Sequence, residues 1–138
     1  MVTESNVSAW AALASKLWST SQESLVEEFL SQKFPYEFIY RKDGCVVAFM
    51  SLSVRQDYVE GTQVSPVAYL EGIFVLEAYQ KLGIASELIA FARNWAKKQE
   101  LKELASDCRL ENVTSQALHH ALGFREVSRT VHFVMKVD

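Results

Sequence analysis

Residues 69–85 read YLEGIFVLEAYQKLGIA, and the fold of the chain turns on them. Val67–Val75 is a β-branched and aromatic run, the pattern of a strand, with Glu71 and Gly72 in its interior. Tyr79–Gly83 makes a turn, after which Leu88, Phe91, Ala92 and Trp95 recur at the spacing of one buried helical stripe. Lys97 and Lys98 suit the negative end of that helix. A glycine where a helix opens lets a ligand approach N–H groups that no helical carbonyl satisfies. With the positive end of the helix dipole, those groups favour a phosphate. Neither G-x-x-x-x-G-K-[ST] nor G-x-G-x-x-G occurs, which disfavours ATP and dinucleotides. Glu71 stands out because a carboxylate inside an apolar strand is costly unless it is satisfied or faces a wet cleft. It reads either as half of a buried ion pair with a lysine or arginine, or as an acid–base group. The loop that follows favours the second. Gly72 suits a bulge that re-aims the strand and frees backbone N–H groups.

Upstream, Trp10, Leu13, Ala14 and Leu17 mark a helix that Asn6 or Ser8 could cap. Thr20-Ser21-Gln22-Glu23 reads as a capping box opening a second helix through Leu25, Phe29 and Leu30, which stops before Pro35. Tyr36–Arg41 and Val46–Val54 read as strands joined by Lys42-Asp43-Gly44, a hairpin signal. Arg55–Pro66 is polar and reads as a long exposed loop of the kind that carries binding residues. Downstream come a short strand, Leu104–Asp107, and a helix, Val113–Leu122, ended by Gly123. Val127–Arg129 and Val131–Val137 are expected to close the sheet. The order predicts an α/β chain with a mixed sheet and helices on its faces, one domain over residues 1–138.

Lys plus Arg is 14 against 17 Asp plus Glu, a net charge of −3, which argues against nucleic acid and suits a cationic ligand. No apolar run approaches the ~20 residues of a membrane span, and Met1–Asn6 does not resemble an export signal. With only Cys45 and Cys108, a reduced cytoplasmic protein is expected. His119, His120 and His132 show no zinc-ligand spacing with the cysteines, so no metal is expected. A lone cysteine such as Cys108 is more often an apolar filler than an acyl carrier.

The strand ending in Glu71-Gly72-Ile73-Phe74-Val75, the Gln80-Lys81-Leu82-Gly83-Ile84-Ala85 loop, Asn112 and the Gly123-Phe124 pair resemble the GCN5-related N-acetyltransferase (GNAT) superfamily over nearly the whole chain. Residues 65–76, Ala105-Ser106-Asp107 and 120–124 look most like the short aminoglycoside 6′-N-acetyltransferases. The resemblance implies a GNAT fold and an acetyl-CoA donor. Backbone groups of Ile73, Phe74 and Val75 would border its acetyl and pantetheine arm, and Gln80, Lys81, Leu82, Gly83, Ile84 and Ala85 its pyrophosphate. Asn112 would bond the pantetheine, although alone it could simply cap the next helix. Glu71 would be the general base, and Trp18, Tyr58, Glu71 and Asp107 would bind the acceptor. By residue type alone, Trp18 fits core packing equally well and Asp107 a turn. Many members place a tyrosine on the last helix as general acid. That position here is His119, which can also donate a proton or be a surface residue. His120 reads as structural. Ser21 and Ser128 depart from the aminoglycoside pattern, which has histidine and glutamate there.

The implied function is acetyl transfer from acetyl-CoA to a primary amine, foremost the 6′-amine of an aminoglycoside, by direct attack in a ternary complex. A polyamine, peptide N-terminus or lysine side chain is the alternative acceptor, and an idle acyl-CoA-binding module a third possibility. The resemblance also implies a homodimer, for which the apolar strand Val131–Val137 offers a pairing edge.

Overall fold

Two consecutive left-handed residues, Asp43 (φ 52°) and Gly44 (φ 80°), fold β1 (Tyr36–Lys42) back on β2 (Cys45–Arg55). A tight hairpin needs that sign of φ at both turn positions, and Asp-Gly supplies it. The structure, a computed structural model, describes residues 1–138 as two units, Met1–Asp107 and Cys108–Asp138. The first unit contains α1 (Val7–Trp18), α2 (Gln22–Leu30), the hairpin, β3 (Val67–Val75), a 3-10 turn at Glu77–Tyr79, α3 (Ile84–Lys98) and β4 (Leu104–Ser106). The sheet order is β1-β2-β3-β4, antiparallel at the first two junctions and parallel at the third. This is the expected mixed sheet.

Strand parity decides which helix each face receives. From β1, the Tyr36 ring meets Trp95 at 5.0 Å, Phe38 meets Phe91 at 4.9 Å, and the Tyr40 hydroxyl donates to Glu87, all on α3. Glu37 and Ile39 turn to the opposite face, where Glu37 bonds Trp10 of α1 and Ile39 packs on the cluster built by α1 and α2. Trp10 is fully buried there, ringed by Trp18, Phe29, Phe34 and Phe49. β2 is buried from Val47 to Leu52, as a central strand covered on both faces should be.

Several local expectations shift. Asn6 takes the cap position of α1 but makes no cap bond, because its Oδ1 accepts from the Thr3 N–H at 2.7 Å. Ser21, one residue later than the expected box, caps α2 by accepting from the Ser24 N–H at 3.1 Å. Thr20 instead donates to the Trp18 carbonyl. On α3 the buried stripe is Ile84, Leu88, Ile89, Ala92 and Ala96, and Phe91 is half exposed at its margin, held by Phe38.

In the second unit, Asn112 caps α4 (Val113–Ala121) and Gly123 ends it at φ 97°. The expected closing strands Val127–Arg129 and Val131–Val137 do not form. Val131, Phe133, Val134, Met135 and Val137 are 71–98% exposed. β-branched residues confer strand propensity, but a strand exists only in a ladder, and no segment of the chain pairs with this one. No helix is long and apolar enough to cross a membrane.

Candidate active site

β3 breaks its ladder at Glu71. Gly72 pairs with Ser51 and Leu70 with Leu52, so Glu71 is the extra residue of a β-bulge. A bulge bends its strand and leaves one residue outside the pairing. On the other edge, β4 pairs with Ala68, Tyr69 and Leu70 and then stops. From Glu71 to Val75, β3 therefore has β2 on one side and no strand on the other. Such an edge offers N–H and C=O groups to an extended, amide-bearing ligand. Ile73, Phe74 and Val75 all lie along it, while the Phe74 side chain packs into the cluster under α1 and α2.

Gly72 lets α1 press onto the bulge. A Cβ there would stand 2.9 Å from both Leu17 Cδ2 and Trp18 Cζ2. This contact sets Trp18 beside the site, half buried, stacked on Phe34 at 5.6 Å and edge-on to Phe49. Trp18 thus packs on the aromatic core while lying beside the bulge. Gly72→Ala is expected to cost about 1–3 kcal/mol through overpacking and, on the reading that Trp18 binds the acceptor, to raise the acceptor KM by displacing the indole. Thermal melting and steady-state kinetics check both effects, and an unchanged melting temperature would contradict the close fit.

Glu71 is ion-paired, but not buried. Arg55 donates to it from Nη2 (2.9 Å to Oε1, 3.0 Å to Oε2) and from Nε (3.1 Å), and the Ser53 hydroxyl donates at 2.5 Å. The side chains are 44% and 32% exposed, so the buried pair weighed from sequence becomes a pair in an open site. The guanidinium lies 3.4 Å over the Tyr69 ring centroid. Burial and then a hydrogen bond to Asp107 hold the Tyr69 phenol above its ordinary pKa. Partial burial opposes the charged guanidinium, but its bonds to Glu71 and the nearby charge of Asp107 outweigh that and raise the Arg55 pKa. Glu71 and Asp107, both expected in the site, thus join through Arg55 and Tyr69, which sequence reasoning missed. By sequence Arg55 opens the polar loop; in the structure β2 runs one residue further and retains it.

Beneath the bulge lies a second acid that also went unread. Glu37 is 1% exposed, accepts from Trp10 Nε1 at 2.8 Å, and has Oε2 2.6 Å from the hydroxyl of Ser51, the bulge partner of Gly72. Burial pushes its carboxyl up to about 8, against the pull of the Ser51 and Trp10 hydrogen bonds and with a further push from Glu71. Its signal was a lone acid at an inward position of an aromatic strand.

The open edge of β3 leads directly into the loop before α3. Gln80 folds back, its Nε2 donating to the Val75 carbonyl at 3.0 Å, so its side chain shapes the loop. Lys81 (φ 63°) and Gly83 (φ 83°) are both left-handed, and a Cβ on Gly83 would meet nothing within 4 Å. Left-handed turns of this kind gather successive N–H groups into an anion-binding concavity, here at the head of a 15-residue helix. Leu82 is exposed, whereas Ile84 is buried and anchors the helix, followed by half-buried Ala85.

Tyr58 is 68% exposed in the loop after β2, its hydroxyl accepting from the Gly61 N–H. In the second unit, Asn112 Oδ1 is engaged in capping α4. His119 Nδ1 lies 2.7 Å from the Ser115 carbonyl, and its ring packs edge-on against Phe124. A carbonyl only accepts, so Nδ1 carries a proton; the neutral ring then accepts at Nε2 and donates there only as imidazolium. His120 is exposed, Ser21 is committed to its cap, and Ser128 lies in the segment without regular structure. No three His, Cys, Asp or Glu side chains are gathered as metal ligands.

The sequence profile of the acetyltransferase (GNAT) family matches residues 4–124. The aminoglycoside N(6′)-acetyltransferase type 1 of Acinetobacter haemolyticus is 41% identical over 138 residues, covering 98% of this chain and 95% of the relative. Among solved structures, the aminoglycoside 6′-N-acetyltransferase AAC(6′)-Ih of Acinetobacter baumannii aligns with a TM-score of 0.90 and 39% identity, over 99% of this chain and 96% of that one. AAC(6′)-Iy, solved with the bisubstrate analogue CoA-S-monomethyl-acetylneamine, aligns with a TM-score of 0.86 and 34% identity, over 96% and 93%.

Proposed function

Because the chain belongs to the GNAT acetyltransferase family, we propose that this N-acetyltransferase moves the acetyl group of acetyl-CoA onto the 6′-amine of an aminoglycoside. The observation that carries the reading is continuity. A bulged acid, an open strand edge and a left-handed, helix-opening loop follow one another along residues 71–85. The names of the relatives support the acceptor, and the bisubstrate analogue bound to AAC(6′)-Iy supports the pairing of CoA with an aminoglycoside.

The residues present fit acetyl-CoA. N–H groups from Lys81 to Ala85 would hold the pyrophosphate, and the β3 edge at Ile73–Val75 would pair with the pantetheine amides. When bound, acetyl-CoA supplies the acetyl group as a thioester. Glu71 draws the acceptor ammonium and takes its proton, directly or through water. Ser53 and Arg55 already occupy the Glu71 oxygens, so one of these donors moves first. N–H groups freed at the bulge face the developing oxyanion. A C–N bond would form and the C–S bond break; nitrogen gives up two protons in all, one to Glu71 before attack and one to water as the amide forms, and the sulfur leaves as thiolate and takes a proton from water. Trp18 and Tyr58 give aromatic faces to the aminosugar, and Asp107 faces a second ammonium.

A panel of neamine-type aminoglycosides, polyamines and peptides, followed by release of the CoA thiol, tests the proposal. Acceptors with a 6′-amine are expected to exceed the others in kcat/KM, and 6′-hydroxyl analogues to be inert. Transfer confined to polyamines or peptides, or no transfer at all, would overturn it.

The reading includes a homodimer in which a second copy covers the exposed apolar run from Val131 to Val137. Light scattering in dilute solution should give twice the chain mass of 15.6 kDa. A monomer at all concentrations would refute the dimer.

A further inference from the structure

Glu37 of β1, Ser51 of β2 and Gly72 of β3 are direct partners across the sheet, so they form one row on one face. α1 rests on both ends of that row. At one end the Trp10 indole N–H donates to Glu37 Oε1 at 2.8 Å; at the other, Leu17 and Trp18 stand where a Gly72 Cβ would point. Trp10 and Trp18 are about 12 Å apart along the helix, and β1 and β3 about 10 Å apart across the sheet. One helix therefore spans the row. The next row on this face, Ile39, Phe49 and Phe74, is apolar and packs in the cluster built by α1 and α2. Apolar contact has no direction and tolerates a helix that slides. A hydrogen bond of fixed length and angle does not. Glu37 is itself fixed, because the Ser51 hydroxyl lies 2.6 Å from its other oxygen. We propose that Glu37 is a positioning residue for the acceptor: by holding Trp10 it fixes where α1 lies along the sheet, and so keeps Trp18 beside the Glu71 bulge.

The proposal rests on the acetyltransferase reading above, in which Trp18 gives an aromatic face to the acceptor, and adds the residue that sets its place. Glu37 is 1% exposed, so it touches no substrate and acts through α1. An acid is costly at a buried position where an apolar side chain would pack. What it supplies, and a leucine could not, is a fixed acceptor for an indole N–H within an apolar interface. A single buried polar contact of this kind sets register at a cost in stability. A helix freed from it can shift over the apolar row, and the indole at its far end shifts with it. The β3 edge at Ile73–Val75 and the loop before α3 are held by other contacts, so the donor side is not expected to follow.

The test compares wild type, Glu37→Met and Glu37→Gln at neutral pH, by kinetics with neamine and by fluorine NMR of fluorotryptophan-labelled protein. Glu37→Met keeps the length of the side chain and loses both hydrogen bonds. The neamine KM should rise at least fivefold, with a smaller change in kcat and an unchanged Kd for CoA. The Trp18 resonance, assigned with Trp18→Phe, should move or broaden, while that of Trp95, which packs on Tyr36 under α3, stays in place. Glu37→Gln keeps an acceptor for Trp10 and a donor for Ser51, and should restore both readouts. Trp10→Phe removes the same bond from the helix side, so the double variant should move Trp18 no further than the larger single change. A folded Glu37→Met with the Trp18 resonance and the neamine KM both unchanged would overturn the proposal. So would equal weakening of neamine and CoA, which marks a general loosening. If Glu37→Met does not fold, Ser51→Ala, which frees the carboxyl from β2, is judged by the same two readouts: a smaller change in the same direction supports the proposal, and none overturns it. If wild type acetylates no amine, the functional reading fails, and the Trp18 resonance alone decides the role of Glu37.

Discussion

Glu71→Gln is expected to lower kcat for aminoglycoside acetylation by roughly 10²- to 10⁴-fold, the usual worth of a positioned acid–base group. The glutamine keeps the shape of the side chain, and its amide oxygen still accepts from Ser53 or Arg55, so the fold should survive. What disappears is the charge that attracts the ammonium and the oxygen that takes its proton. Acceptor KM should therefore rise together with the loss of kcat. On the proposed reading the acetyl-CoA side of the site uses backbone along Ile73–Val75 and Lys81–Ala85, so donor affinity should hold. Stopped-assay kinetics with both substrates varied, plus calorimetry with CoA, measure the two halves separately. Unchanged turnover would remove Glu71 from the reaction. Loss of CoA binding together with turnover would show that the substitution had collapsed the bulge.

The second large effect belongs to Glu37 and concerns stability. Its carboxyl is raised from 4.5 to about 8 in the folded chain, chiefly by burial. Between those values the folded state retains a proton that the unfolded state has released, so stability falls as pH rises. At 1.36 kcal/mol per unit, a shift of about 3.5 units makes the loss by pH 9 of order 5 kcal/mol. Glu37→Gln mimics the protonated acid: its carbonyl accepts from Trp10, and its amide donates to the Ser51 hydroxyl. The variant should match wild type near pH 5 and outlast it increasingly towards pH 9. Because other groups titrate equally in both proteins, the difference between their denaturant midpoints isolates Glu37. Parallel curves across pH 5–9 would mean that the buried carboxyl does not carry this proton. Since Ser51 pairs with Gly72, alkaline weakening at Glu37 should also reach the bulge that aims Glu71.

Local signals located most of the fold. The Asp43-Gly44 turn, the strands it joins and the long helix α3 each depend on residues close in sequence and formed within a residue or two of expectation, although the buried stripe of α3 turned towards Ile84, Ile89 and Ala96. The closing strands failed because pairing is non-local: Val131–Val137 has the composition of a strand but no ladder to join. The site divides in the same way. Glu71 and the Gly83 loop were conspicuous as a charge in an apolar run and a glycine before a helix. Arg55, Tyr69 and Glu37 were not, because their importance lies in what they touch across the sheet. Arg55 meets Glu71 only through the β2–β3 register, and Glu37 meets Trp10 only after α1 has docked. The bulge was legible as a possibility from Gly72. Its position, with Glu71 as the unpaired residue, depended on the partner strand.

A crystal structure of the chain with coenzyme A tests the central claim most directly. The account predicts the diphosphate on the N–H groups from Lys81 to Ala85, the pantetheine along the open edge at Ile73–Val75, and the sulfur pointing towards Glu71. A diphosphate bound anywhere else, or a sulfur remote from the Glu71 bulge, would contradict it.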